Sequence, residues 1–462
     1  MKRYFVLLSL VLTILDVYSS EFSVLTGKGV VGDENNNVFV FESMNGVSIR
    51  FSSDFIDSTG CRWYKYTDDP FSAVEIPSSE YSTDSSFSVL SDVSADCGYI
   101  VEYGDSTCDE GSRCRGYVWS TLYKPISDVS WNNESEEVEC ESLSLKIVPA
   151  MMFVNKNGMK KCLKRNMTYS YSNFLLSADY KPEVSAVTGS DAVDSILVIT
   201  PTPAVDTKFK LTDAFSSLLS IPNAAFETDT FRTDAVVAYP IMTVDMKYDH
   251  EVDPNYEGWK KDADGRVILA FSESFDQAIA DTGKFKTSAP VTIDLMCYPS
   301  ENVSKKGYVW EFVSGINAEE GDFTSSIRQY DSTIVGYKFV DPGLHCIKLT
   351  VASVDGKCES SSYGCFRVAD SGLWVPNAFT PNGDGSNDEF RVAYRSIVSF
   401  ECRIYDQWGK KVYDSNDITE GWNGKIGGRK ASVGVYFYVI EARGADGVKY
   451  KKKGAVNLIR GK

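Results

Sequence analysis

"VPNAFTPNGDGSNDEF", residues 375–390, holds two prolines, two glycines and a run of Asn and Asp between strand-like stretches. Pro376 and Pro381 fix the direction of the chain, because a proline ring locks φ. Gly383 and Gly385 admit positive φ, and the side chains of Asn377, Asn382, Asp384, Asn387 and Asp388 can cap the turn between them. A segment so rigid is a built loop and not a linker. Beyond it, Gly409, Gly421, Gly424 and Gly434 punctuate short runs rich in Val, Ile, Phe and Tyr. That spacing predicts a small antiparallel sandwich. Its expected core is aromatic: Phe379, Phe390, Trp408, Trp422, Tyr436 and Tyr438.

The whole chain fits this local picture. It has 462 residues, 43% hydrophobic, 13% aromatic and 24% charged, a globular composition of about three or four domains. Abundant Tyr, Ser and Thr in alternating runs favours half-buried pleated surfaces, so β structure is expected throughout. The net charge of -17 repels phosphate backbones and excludes nucleic acid as a partner. The final "RGADGVKYKKKGAVNLIRGK" is basic against that background. It reads either as an edge strand resisting aggregation or as a contact surface for an acidic partner.

The first twenty residues, "MKRYFVLLSLVLTILDVYSS", join a basic start to an apolar stretch and small residues, the pattern of a signal peptide over residues 1–20. The apolar stretch is short for a membrane span, and none is expected in the mature chain. Export gives the 11 cysteines a meaning, since an oxidising compartment permits disulfides. No CxxC pair occurs and there are two histidines, so a zinc site is not expected, and no cofactor is implied.

Upstream of the loop the chain divides into expected units at residues 21–122, 123–240 and 241–369, followed by the last unit at 370–462. In the first, strand candidates include "VFVFES", "CRWYKY" and "CGYIVEYG". Cys61 with Trp63, then Cys97 in "DVSADCGYIVEYG", resembles an immunoglobulin-like domain. The second contains "CESLSLKIVPAM", "KKCLKRNMTYSY" and "SILVITP" and reads as another sandwich. In the third, "APVTIDLMCYPS", "KKGYVWEF" and "YKFVDPGLHCIKLTVAS" resemble the polycystic-kidney-disease (PKD) type of β-sandwich over about 80 residues from Ala289, with Trp310 in the core. One even set of cysteines per unit implies the pairs Cys61–Cys97, Cys108–Cys114, Cys140–Cys162, Cys297–Cys346 and Cys358–Cys365, with Cys402 left free.

The last unit carries five motifs in order: the opening loop, "DQWGK", "GWNGK", "VGVYFYV" and "KKKGAVNLIRGK". Together they resemble the gliding-motility-associated C-terminal domain, the type B sorting domain of the type IX secretion system. The resemblance runs from about Trp374 to Arg460 and takes in Pro376, Asn377, Phe379, Pro381, Asn382, Gly383, Asp384, Gly385, Asn387, Asp388, Trp408, Gly409, Trp422, Gly424, Gly434, Tyr436, Tyr438, Gly454 and Arg460. It implies export through the periplasm and delivery by the type IX machinery at the outer membrane.

Little points to catalysis. No P-loop, H-E-x-x-H or G-x-S-x-G motif occurs, and no Ser-His-Asp or Cys-His set is expected from two unrelated histidines. The loop's Asn and Asp oxygens fall short of a full calcium series, leaving an Asx-turn network or a weak cation site as readings. Trp119, Trp131 and Trp259 read as sugar-stacking residues or as half-buried edge residues. Asp-Ser-Thr at 57–59, 105–107 and 331–333 and Asp-Ser-Ile at 194–196 match a short O-glycosylation pattern. The expectation is an all-β chain of tandem immunoglobulin-like and PKD-like sandwiches plus a small C-terminal sorting sandwich. It would be non-catalytic and displayed at the cell surface or secreted, in an adhesin-like or structural role with an unknown protein or glycan ligand. The alternative is a carbohydrate-binding protein for polymer capture.

Overall fold

A computed structural model of the chain describes residues 21–460 except 54–55, 57–59, 105–112, 132–139, 223, 245–259 and 282–284. The expected signal peptide, Cys108, Trp259 and the Asp-Ser-Thr sites at 57–59 and 105–107 lie outside the described residues. The protein is all-β, with short strands arranged in many sheets and a few helices of one or two turns. Among the described residues no helix is long and apolar enough to cross a membrane.

Alternation of apolar and polar residues sets the layers. Near the N-terminus a four-stranded sheet that includes Ser48–Ser52 and Phe87–Leu90 faces a six-stranded one that includes Arg62–Tyr66 and Cys97–Tyr103. Trp63 is fully buried between them, and its indole N–H donates to Ser88 Oγ of the facing sheet at 2.9 Å. The outer face of the six-stranded sheet is also apolar. Val38, Val40, Ile100 and Trp119 pack there on Met151, Phe153, Leu163, Phe215 and Leu219 from the next part of the chain. A three-stranded sheet with Leu143–Val148 at its centre and a four-stranded sheet built on the hairpin Arg165–Leu176 and Pro182–Val193 follow. Leu145, Met167, Leu197, Phe209 and Leu211 form the core between them.

The strand Ala238–Val244 runs straight through the expected join at 240/241. It pairs along its length with Val291–Pro299, from Ala238 opposite Pro299 to Val244 opposite Ile293. Pro240 survives inside a strand, and we propose that the join precedes Ala238. The five-stranded sheet opposite carries Trp310, fully buried, with its N–H donating to Asp331 O at 2.7 Å. Helices Phe275–Asp281 and Ile316–Glu320 cover the outside of that sheet. The last sheet runs in the order Ala378–Phe379, Lys449–Leu458, Gly434–Gly444, Ile397–Tyr405, Lys411–Ser415.

The disulfide pairing differs from expectation for geometric reasons. Trp63 lies opposite Val101 and Tyr66 opposite Gly98. This antiparallel register puts Cys61 and Cys97 at opposite ends of one strand pair, about 20 Å apart at the rise of a strand. Cys97 is therefore a free buried thiol. Cys346 sits directly opposite Cys365 on neighbouring strands and is bridged to it, on the outer face beneath the two helices. Cys297 points instead into the core between the sheets and stays free. Cys162 pairs in register with Met152 in a separate hairpin, also as a free thiol, while Cys140 is bridged to Cys358. Cys114 is disulfide-bonded. Cys402 is a buried free thiol, and burial pushes both it and Cys297 up to about 12, which keeps them protonated and poor nucleophiles.

His345 is 2% exposed, between the rings of Phe339 and Phe366. Its Nδ1 meets Ser314 Oγ at 2.7 Å and its Nε2 meets Asp341 O at 2.8 Å. One neutral tautomer satisfies both contacts, with Nε2–H donating to the carbonyl and Nδ1 accepting from the hydroxyl. Burial lowers its pKa below the ordinary 6.5, against a smaller upward pull from Asp341. The unfolded chain therefore binds a proton near pH 6.5 that the folded chain refuses, and stability rises with pH there. Acidification through pH 6.5 should weaken this sandwich, with a limiting slope of about 1.4 kcal/mol per pH unit. Denaturant unfolding at pH 7.5 and 5.5 should show a smaller loss for His345→Gln than for the native protein; equal losses would assign the acid sensitivity elsewhere.

Candidate functional site

The loop that opens the last unit starts against the end of the chain. Strand Ala378–Phe379 runs parallel to Asn457 and Leu458, with Asn457 N–H donating to Asn377 O at 2.9 Å and Ile459 N–H to Phe379 O at 3.1 Å. Thr380 N–H closes the loop on Asn387 O at 2.7 Å. Inside it the carboxylates receive backbone N–H groups. Asp388 accepts from Gly383 at 2.6 Å and from Gly385 at 2.8 Å, one on each oxygen. Asp384 accepts from Ser386 N–H at 2.8 Å and from the Asn382 amide at 2.7 Å, and these contacts hold its carboxyl below the ordinary carboxylate range, the Asn382 amide foremost. Gly383, Gly385 and Asn387 all take positive φ, which the residue types at these positions tolerate. The arrangement is the wiring of a turn. Among the described residues no three His, Cys, Asp or Glu side chains converge on a common point.

Behind the loop the aromatic motifs pack together, tilted or edge to face. Phe379 lies 5.4 Å from Trp422, Trp422 4.8 Å from Tyr436, and Phe390 5.5 Å from Tyr438, centroid to centroid. Tyr438 crosses the neighbouring strand over Gly454, where an added Cβ would fall 2.4 Å from its hydroxyl. Arg460 donates to Gly424 O at 2.9 Å and to Ala431 O. A Cβ on Gly424 would meet Leu458, Pro381 and Arg460 at once. Pro381, Gly424 and Arg460, far apart in sequence, thus form one contact, and Gly434 lies opposite Leu458 in the same ladder.

Trp408 is an exception. It is 84% exposed and not part of the core, because it occupies the corner of a tight turn in which Asp406 accepts the N–H groups of Trp408 and Lys410 and Gly409 has φ +80°. The basic strand Lys449–Leu458 is hydrogen-bonded along its length to Gly434–Gly444 and, among the described residues, pairs on its other side with the short strand Ala378–Phe379. Sequence reasoning also missed Ser396, a fully buried residue at φ +48°. Its N–H donates to Ser288 Oγ at 2.6 Å, its hydroxyl accepts from Ala289 N–H and donates to Ala369 O, and its carbonyl accepts from Ala445 N–H. It fastens the last unit to the sandwich before it. A serine between strands gives no sequence signal of such a role.

Upstream, Trp119 is buried in the strand Cys114–Leu122, and Trp131 is half-buried against Phe231 at 5.0 Å, so neither is presented for stacking. The structure does bring a serine to a histidine, Ser314 to His345, but the ring's other nitrogen faces a backbone carbonyl where a catalytic triad has a carboxylate. The outer face of the long hairpin is tiled with hydroxyls. Ser190, Thr168 and Thr212 lie in one row and Thr188, Ser170 and Lys210 in the next, along an open groove of about 560 Å³, while the Tyr169 ring between them turns to the core side.

These contacts define a C-terminal module whose entrance loop, turn and last strand are held as one piece. Residues 373–458 match the family described as CHU_C Type IX secretion signal domain, so the chain ends in a type IX secretion signal domain. Such a signal implies export to the cell surface or secretion. No curated protein matches the chain. Among solved structures it is similar to a tetra-tandem repeat in the extending region of a large adhesion protein, at 11% identity over 96% of this chain and 100% of that one, with a TM-score of 0.20. A Ca2+-stabilized adhesin that helps an Antarctic bacterium bind ice gives 10% identity, 95% and 99% coverage and a TM-score of 0.18. Dimeric latent PorU from Porphyromonas gingivalis gives 10% identity, 73% and 34% coverage and a TM-score of 0.16. Overlays this weak carry no argument about shape or role.

Asp388→Ala should destabilise the last unit by about 1 kcal/mol for each backbone N–H it strands, discounted for the loop's exposure, and Asp388→Asn by less. Denaturant titration measures both. A chelator should leave the native midpoint where it is if the carboxylates serve the turn alone; a fall in midpoint would reveal a bound cation.

Proposed function

We propose that the chain is a non-catalytic surface or secreted protein, brought to the periplasm by a cleaved signal peptide and across the outer membrane by its last domain. The upstream sandwiches, of immunoglobulin-like and PKD-like kind, serve an adhesin-like or structural role. The observation that carries the reading is the terminal module itself, matched over residues 373–458 and wired from loop to last strand through Pro381, Gly424 and Arg460. The hydroxyl-tiled face of the hairpin supports display over sugar stacking. Among the described residues, the exposed upstream aromatics Phe71 and Tyr330 stand on different sandwiches. The buried, protonated thiols of Cys297 and Cys402 and the enclosed His345 support the non-catalytic reading.

Carbohydrate capture is the second reading, favoured by the open groove that Thr and Ser hydroxyls and Lys210 line on the outer face of the hairpin. A glycan and protein array probed with residues 21–369 separates the two.

Removing residues 370–462 should strand the upstream sandwiches in the periplasm of a host possessing the type IX system. Fusing them behind a signal peptide and a fluorescent reporter should carry the reporter outside, measured by cell fractionation. A chain ending before Lys451 should be exported poorly, since it loses a strand paired over its whole length. Normal surface levels of the truncated protein would reduce the module to a structural cap.

A further inference from the structure

The Cys140–Cys358 bridge joins two sandwiches. Cys140 stands just before the strand Leu143–Val148, and Cys358 lies in the turn between Gly343–Ser353 and Glu359–Val368. The Cα atoms are 5.5 Å apart and the residues are separated by 218 positions. The anchoring turn is firmly made. Ser353 N–H donates to Cys358 O at 2.8 Å, Cys358 N–H donates to Ser353 Oγ at 3.0 Å, and Cys358 is 1% exposed. Cys140, half-buried, packs against the same core.

We propose that this bridge is a covalent bypass for tensile load. When the N-terminal sandwich is held at one end and the C-terminal domain at the other, force reaching Cys140 crosses directly to Cys358. The chain between them, which contains nearly all of the second sandwich and most of the third, then bears no tension and cannot be drawn out. Beyond Cys358 the load enters Glu359–Val368, itself cross-linked to its neighbour by Cys346–Cys365. It then passes to the joint where Ser396 binds Ala369 and Ser288. The strand Asp128–Trp131 and everything before it lie outside the loop and remain extensible. The bypass follows from covalent connectivity alone. Its use to a cell rests on surface display, whereas its test reads mechanics only.

Single molecules of residues 21–462, tagged at both ends, should be stretched under oxidising conditions and again after a strong phosphine reductant. The oxidised protein should yield only the chain outside the loop. The double variant Cys140→Ser, Cys358→Ser should yield roughly 680 Å more, which is 218 residues less the 19 still short-circuited by Cys346–Cys365, at the reach of an extended chain. Full reduction of the native protein should release roughly 750 Å from this region and needs no folded variant. If the oxidised native protein already extends through that length, or non-reducing peptide mapping finds Cys140 and Cys358 unlinked, the proposal is overturned.

Discussion

Arg165 sets a constraint on which the arrangement of the first two sandwiches depends. It is 1% exposed, and a charge so deep must find a partner for each donor or its burial costs several kcal/mol. Its Nε–H meets Asp213 at 2.5 Å, while its two terminal nitrogens donate to Pro149 O at 3.1 Å and Lys124 O at 2.6 Å. Lys124 lies where the chain leaves the first sandwich. Asp213, fully buried, uses its other oxygen to cap the helix Ala214–Leu218 through Phe215 N–H. Phe215 in turn packs on the outer face of the first sandwich. One guanidinium thus ties a linker, a loop, a strand and a helix start, and its hydrogen bonds are directional where the apolar cluster beside it is not.

Ser396 does the same kind of work at the other end with no charge. Its hydroxyl both accepts and donates, its N–H and carbonyl are used, and it joins Ser288, Ala289 and Ala369 to Ala445. Each joint satisfies polar groups that packing would otherwise strand, which is why these residues are buried at all. The joints are wired as fully as the sandwiches they connect.

The strands were legible because their signal is local. "CRWYKY", "CGYIVEYG" and "KKGYVWEF" alternate, and each appears as a strand with Trp63 or Trp310 in the core where a tryptophan is present. The entrance loop was legible for the same reason, since Pro, Gly and Asx state their turn within a few residues. What failed depends on register and on contacts between sandwiches. Which cysteine faces which follows from strand alignment, and a shift along one strand pair separates Cys61 from Cys97 while placing Cys346 against Cys365. Trp408 was misread because an aromatic residue beside a Gly turn looks the same in sequence whether its ring folds under the sheet or stands off the corner. Arg165, Ser396 and the Cys140–Cys358 pair gave no warning, since each joins segments that no periodicity relates.

The rigid polar loop at residue 375 has its physical explanation in the same terms. The loop's own carboxylates are consumed by its backbone, so it keeps its shape without borrowing hydrogen bonds from the rest of the unit. That leaves Phe379, Pro381 and Asn377 free to meet the final strand and Arg460 in one arrangement. The last sheet is assembled from both ends of the domain, Ala378–Phe379 from its start and Lys449–Leu458 from its finish. A chain lacking its last residues cannot complete that sheet. The fold of this domain is therefore available only once Lys449–Leu458 has been made and has met Ala378–Phe379, which makes the loop at its start depend on the strand at its finish.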